Sequence, residues 1–223
     1  AGLAVAFPIS IGIAVVEGVV LSYAIQPKGN LLILAAGLVL AVAAIIFDAL
    51  AYNSLGSSGR QVSRKGIIVN IVSGLLMGSF APFVTKAMTA GHTLTPYAIV
   101  VFFALGALAS CFVFNTYLMH HPLIGNPTDF SGFWSAKTSD HVLGVLGGIV
   151  WGLGGSFNFI AGSFVGMAIS YAIGQSAPMI AALWGVIVWK EFSGAGKRTW
   201  SFLGLMFAFY IAAIAVIAMA DRG

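Results

Sequence analysis

Charge is what this 223-residue chain has least of. Asp, Glu, Lys and Arg together make up 7% of it, against about 25% in an ordinary globular domain. With 60% hydrophobic residues, it carries more apolar surface than a water-soluble fold can bury, so the solvent for most of it is lipid. Cysteine is almost absent too. The single Cys111 lies in an apolar stretch and excludes an intrachain disulfide framework. The start has neither Met nor a charged leader segment, and it opens directly in an apolar run that reads as a cut edge rather than a signal peptide. The net charge of +4 forms no basic stripe interleaved with aromatics, so nucleic acid is not an expected partner.

What is present is a series of seven apolar segments, each near the roughly 20 residues that cross a bilayer. They run from about Gly2 to Ile25 (A), Leu31 to Tyr52 (B), Gly66 to Ala87 (C), Pro96 to Met119 (D), Val142 to Ala161 (E), Val165 to Trp189 (F) and Trp200 to Ala220 (G). Short turns join them, such as Gln26-Pro27-Lys28-Gly29-Asn30 and Gly56-Ser57-Ser58-Gly59-Arg60, and E and F meet near Gly162–Ser163. The longest connection, His120 to His141, is expected to form a surface loop with a short interfacial helix around Phe130–Trp134. The expected fold is an all-α polytopic membrane protein. Arg60, Arg64, Lys65, Lys137, Lys190, Lys197 and Arg198 fall on one side of the membrane, and Lys28, Lys86 and Arg222 on the other. The bias places loops B–C, D–E and F–G in the cytoplasm.

Two pairs of segments look alike. Gly2-Leu3-Ala4-Val5-Ala6-Phe7-Pro8-Ile9 opens A, and Gly166-Met167-Ala168-Ile169-Ser170-Tyr171-Ala172-Ile173 opens F; Gly37-Leu38 and Ala41 in B match Gly204-Leu205 and Ala208 in G. The offsets are nearly equal and span five segments. An odd count makes the copies cross the membrane in opposite senses, an inverted repeat of two five-helix units. Residues 1–55 then read as the last two helices of a first unit, and residues 66–223 as a complete second one.

Polar residues inside the spans are the candidates for chemistry. Glu17 lies mid-span in A, with Ser10 two turns earlier on the same face. A carboxylate at that depth is costly to ionise and faces a bundle interior or a cavity. Glu17 is the proton-coupling candidate; the plain alternative is a protonated acid bonded to a neighbouring helix. Tyr171 and Gln175 share a face of F, with the helix-breaking Pro178 beyond them, and Trp151, Gly155 and Asn158 share a face of E. These side chains offer hydrogen bonds and a stacking surface suited to a neutral polar ring or a sugar, or else simply bond helix to helix. Asn70 and Ser73 in C are a weaker pair of the same kind, and Asn115 in D reads as structural. Asp48, within a turn of the end of B, and Lys86, at the end of C, are expected to reach the headgroups. Gly144, Gly148 and Gly152 form a smooth ridge for close helix approach. His92, His120, His121 and His141 lack metal-ligand spacing, and the glycines of 152–155 lack the Lys-Ser/Thr of a phosphate loop. G has no mid-span lysine for a retinal Schiff base. No catalytic constellation supports an enzyme, and no cofactor is expected.

Several stretches carry a resemblance: Ala1-Gly2-x-Ala4-Val5-Ala6-Phe7-Pro8-Ile9, Pro27-Lys28-Gly29-Asn30, Phe114-Asn115-Thr116, His121-Pro122-Leu123 and Ala181-Ala182-Leu183-Trp184-Gly185-x-x-x-Trp189-Lys190-Glu191-Phe192. Together they resemble bacterial relatives of the plant ureide permeases, in the drug/metabolite transporter superfamily near its glucose/ribose/rhamnose porter group. The resemblance implies ten helices in two inverted halves, of which this chain looks like helices four to ten. It implies a secondary transporter of ureide- or nucleobase-like metabolites, working by proton symport in a bacterial inner membrane, with a sugar as the second substrate class. The plant proteins' long central loop, with its nucleotide-like motif, has no counterpart in the short B–C connection. The expected partners are a small polar solute, the bilayer, protons, and a second copy or a membrane-complex partner. A competing reading from another class is a non-transporting structural subunit of a larger membrane assembly.

Overall fold

Lipid offers no hydrogen bonds, so each span must satisfy its own backbone, and the helix is the local answer. The computed structural model describes residues 3–55, 64–91, 94–122 and 125–222, and these contain helices and no strand. The expected turn at Gly56–Arg60, His92 and Leu123 lie outside them. The helices are α1 (Leu3–Ile25), α2 (Leu31–Ser54), α3 (Arg64–Thr89), α4 (Pro96–Ser110), α5 (Thr116–His120), α6 (Phe130–Trp134), α7 (Thr138–Val165), α8 (Met167–Gly174), α9 (Ala177–Trp184) and α10 (Lys197–Met219). A π-turn at Cys111–Asn115 joins α4 to α5, and another at Gly185–Trp189 extends α9. Among the described residues six stretches are long and apolar enough to cross a membrane, and α1 is a 23-residue helix whose stretch Ile9–Ile25 is apolar as well.

Helix ends follow local chemistry. Asn30 starts α2 by accepting from the amides of Leu32 and Ile33 at 3.0 and 3.2 Å. Thr95 caps α4 in the same way, with Pro96 at its first turn. α6 lies where the aromatic cluster of the long loop predicts it, capped by Asp129, whose carboxyl accepts from the Gly132 amide at 3.1 Å and the Ser131 hydroxyl at 2.6 Å. The Ser131 hydroxyl first, and the Gly132 amide second, hold this carboxyl below its ordinary value.

Two expected boundaries move. The E–F connection is not at Gly162–Ser163. α7 runs on to Val165, and the chain turns at Gly166, whose φ of +88° is one that side chains rarely adopt. Gly162 instead lies against the Met167 side chain, where a Cβ would collide with it. Span F is not one helix either. It breaks between Gly174 and Ala177, ahead of Pro178, and Gln175 caps α8, its amide still bonded to the Tyr171 carbonyl at 3.0 Å, one turn beyond Tyr171 on the same face.

The chain forms two compact units: Ala1–His92 with Ala161–Gly223, and Thr93–Ile160. In the first, α1 packs on α2, α3 and α8, while α2 packs along α10. In the second, Phe103 meets Trp151 and Phe159 at ring distances of 5.8 and 5.2 Å. Most of its other large side chains are exposed, as lipid-facing residues are. The ridge of Gly144, Gly148 and Gly152 is open, since a Cβ at any of them would meet nothing within 4 Å. The close approaches expected of it occur elsewhere.

Candidate functional site: the junction of α1, α3 and α8

Those approaches are made by Gly74 and Gly78 of α3. The two are one turn apart and let α3 lie almost backbone to backbone against α1. A Cβ at Gly74 would sit 2.8 Å from the Ser10 carbonyl oxygen, and one at Gly78 would sit 3.1 Å from that of Ala14. The pairing runs in parallel, with Ser10 beside Asn70 and Glu17 beside Gly78 and Ser79. The Ser10 hydroxyl donates to the Asn70 carbonyl at 2.9 Å and lies 3.2 Å from its side-chain oxygen.

Glu17 occupies the space that Gly78 leaves. Its Oε1 accepts from the Ser79 hydroxyl at 3.0 Å, while its Oε2 is buried and without a hydrogen-bond partner among the described residues. Next along α1, Gly18 admits the Tyr171 ring, which a Cβ there would strike. Tyr171 is fully buried, packs edge-on against Phe80 at 5.2 Å, and donates its hydroxyl to the Met77 carbonyl at 3.3 Å. Pro82 shapes the same place: it has no N–H to give the Gly78 carbonyl one turn earlier, leaving the α3 backbone polar beside the site.

The structure thus brings together Ser10, Glu17, Asn70 and Tyr171 of the expected residues. Gln175 is buried at 9% exposure where α8 ends. Ser73 is exposed. Trp151, 62% exposed, and the half-buried Asn158 belong to the second unit. Sequence reasoning missed Gly18, Ser79 and the Gly74-Leu75-Leu76-Met77-Gly78 motif; the last was legible as a small-xxx-small pattern in C. Asp48 does not reach the headgroups as expected. It is 5% exposed, because the α2 face that bears it is covered by α10. No group of three or more His, Cys, Asp or Glu suited to a metal occurs among the described residues.

The described residues are those of a multi-pass helical membrane protein with a carboxyl, a phenol and small hydroxyls held between spans. Residues 59–221 match the ureide permease family, and the chain belongs to that family. It is similar to three proteins of Arabidopsis thaliana: ureide permease 1 (24% identical), ureide permease 4 (22%) and ureide permease 2 (22%). Each match spans 166 residues, 71% of this chain and 41–42% of the relative, so the chain spans about two-fifths of their length. No solved structure matches. The printed names of these relatives are those of permeases. The relatives are plant proteins and lend nothing to a bacterial inner membrane. Asn70, Ser79 and Tyr171 fall within the family match, whereas Ser10 and Glu17 precede it.

Proposed function

We propose that the protein is a secondary active transporter of a small polar metabolite of ureide or nucleobase type, working by alternating access and coupled to protons. The observation that carries this reading is Glu17, with one oxygen held by Ser79 and the other buried and unpartnered beside Tyr171. A carboxyl so placed can bind and release a proton, or accept from the N–H groups in which ureides are rich, while the phenol presents a ring edge. The relatives' names supply the substrate class. The break in span F supports a mobile element, since discontinuous helices at membrane depth commonly form transporter sites.

The inverted repeat is part of the same reading. The spans that look alike in sequence, A with F and B with G, are also those that pack together, α1 on α8 and α2 on α10. A two-fold axis in the membrane plane would produce such pairing. Trp151, Asn158, Gln175 and Ser73 remain candidate substrate contacts in this account.

The test is uptake into proteoliposomes by the full-length protein, with allantoin, uracil and glucose as solutes, each with and without an imposed pH gradient. Gradient-driven accumulation of allantoin or uracil supports the reading. Accumulation of glucose alone would replace it with a sugar porter. No flux of any of them from folded protein would favour the structural subunit.

A further inference from the structure

The first unit contains a second buried carboxyl, which the proposed transport site does not use. α2 and α10 run antiparallel, with Gly37 against Ile217 at one end and Ser54 bonded to Thr199 at 2.7 Å toward the other. Between these points Phe47 packs against Phe202 and Phe209, with ring centroids at 6.3 and 5.3 Å. Asp48 follows immediately, 5% exposed, with Oδ1 buried and unpartnered among the described residues. Across the seam, α10 carries Tyr210, 1% exposed, whose hydroxyl is likewise buried and unpartnered among the described residues. One seam therefore holds two orphaned polar groups, an arrangement that costs stability unless it serves something.

Asp48 has a route outward. Tyr52, one turn along α2, donates its hydroxyl to Glu191 Oε2 at 3.3 Å. Glu191 is exposed. It is held there because Lys190 takes a left-handed turn (φ +54°) that closes the π-turn, with the Glu191 amide on the Gly185 carbonyl at 3.0 Å. Gly185 makes room, since a Cβ there would lie 2.8 Å from Glu191 Oε2. The other titratable groups on the packed elements are engaged or remote. Arg198 sits over the Phe202 ring, and Lys197 is exposed at the start of α10. On α1, Glu17 bonds Ser79 and Tyr23 donates to the Gly29 carbonyl.

We propose that Asp48 is a proton-binding site of the α2–α10 seam that exchanges with solution through Tyr52 and Glu191. A carboxyl among hydroxyls and phenyl rings carries a proton at far lower cost than a charge. On release, the Asp48 proton passes to the Tyr52 hydroxyl oxygen as Tyr52 gives its own proton to the Glu191 carboxylate, which yields it to water. Charge and atoms balance, and Tyr52 ends as it began. The exit lies at the end of the bundle that the Lys/Arg bias assigns to the cytoplasm. This site is independent of the transport reading, because proton occupancy can be measured in a protein that moves nothing.

The experiment is infrared difference spectroscopy of the full-length protein in liposomes, stepped from neutral to alkaline pH. The expected result is a protonated-carboxyl C=O band that is absent in Asp48→Asn, retained in Glu17→Gln and shifted in Tyr210→Phe. After a pH jump, Tyr52→Phe and Glu191→Gln should keep the band but slow its response by about tenfold or more. If Asp48→Asn does not fold, the Tyr210→Phe shift identifies the band. Wild-type and Asp48→Asn spectra that superimpose, or a band that neither Asp48→Asn nor Tyr210→Phe affects, would overturn the site. Wild-type response rates in both relay variants would overturn the route.

Discussion

Two glycine ridges of the same spacing have opposite fates in this molecule. Gly74 and Gly78 of α3 bring α1 to within a backbone's width and leave a space that Glu17 fills. Gly144, Gly148 and Gly152 of α7 are equally smooth, yet a Cβ on any of them meets nothing within 4 Å. In lipid, small residues permit close approach but do not supply the partner that makes use of it. The partner in α1 brings Ser10 and Glu17, which find Asn70 and Ser79 across the gap. A polar site arises where smooth backbone and polar side chains coincide.

The sharpest way to break the comparison is to put the same side chain on both ridges. Gly74→Leu forces atoms into the Ser10 backbone and should cost about 3 kcal/mol or more, read as loss of folded protein in detergent denaturation. Gly148→Leu should stay within about 0.5 kcal/mol of wild type. Equal damage from both would mean that the α7 ridge is packed after all. Next in size is Ser79→Ala. It removes the hydroxyl on Glu17 Oε1 and should lower stability by about 1 kcal/mol; a double-mutant cycle with Glu17→Gln should recover most of that as coupling. No coupling would separate Ser79 from the carboxyl.

The smallest effect lies outside the bundle. The Asp129 carboxyl is held below its ordinary value by Ser131 and Gly132. Its contribution to α6 is therefore fully present above the unfolded value and is lost only as pH falls through the lowered one. The neighbouring Trp134 fluorescence should be unchanged through mildly acid pH and should change below the usual aspartate range. Asp129→Asn should remove that acid transition while leaving the uptake assay untouched.

Much of the fold was legible because hydropathy alone delimits spans: each expected segment is helical, although D divides into α4 and α5 and F into α8 and α9, and α6 begins and ends where the loop aromatics place it. The errors fell where composition is silent about tertiary contact. Gly162 and Gly166 are the same residue type, and only the fit against Met167 decides which one turns. Asp48 lies near a span end, where a carboxylate ordinarily reaches the headgroups, but the face that α10 covers is not written in α2 itself. Glu17 could be singled out from its depth alone, and Tyr171 from its place in F. Ser79 could not, since a serine in an apolar helix ordinarily bonds its own backbone, as this one also does with the Leu75 carbonyl at 2.7 Å.

In the proposed function, the free oxygen of Glu17 couples proton movement to transport. The most direct measurement is the full-length protein with Glu17→Gln in proteoliposomes, comparing solute counterflow with accumulation driven by a pH gradient. The account predicts that counterflow persists, because the pocket remains, while gradient-driven accumulation falls to the level set by the solute alone. Gradient-driven accumulation equal to wild type in that variant would contradict it.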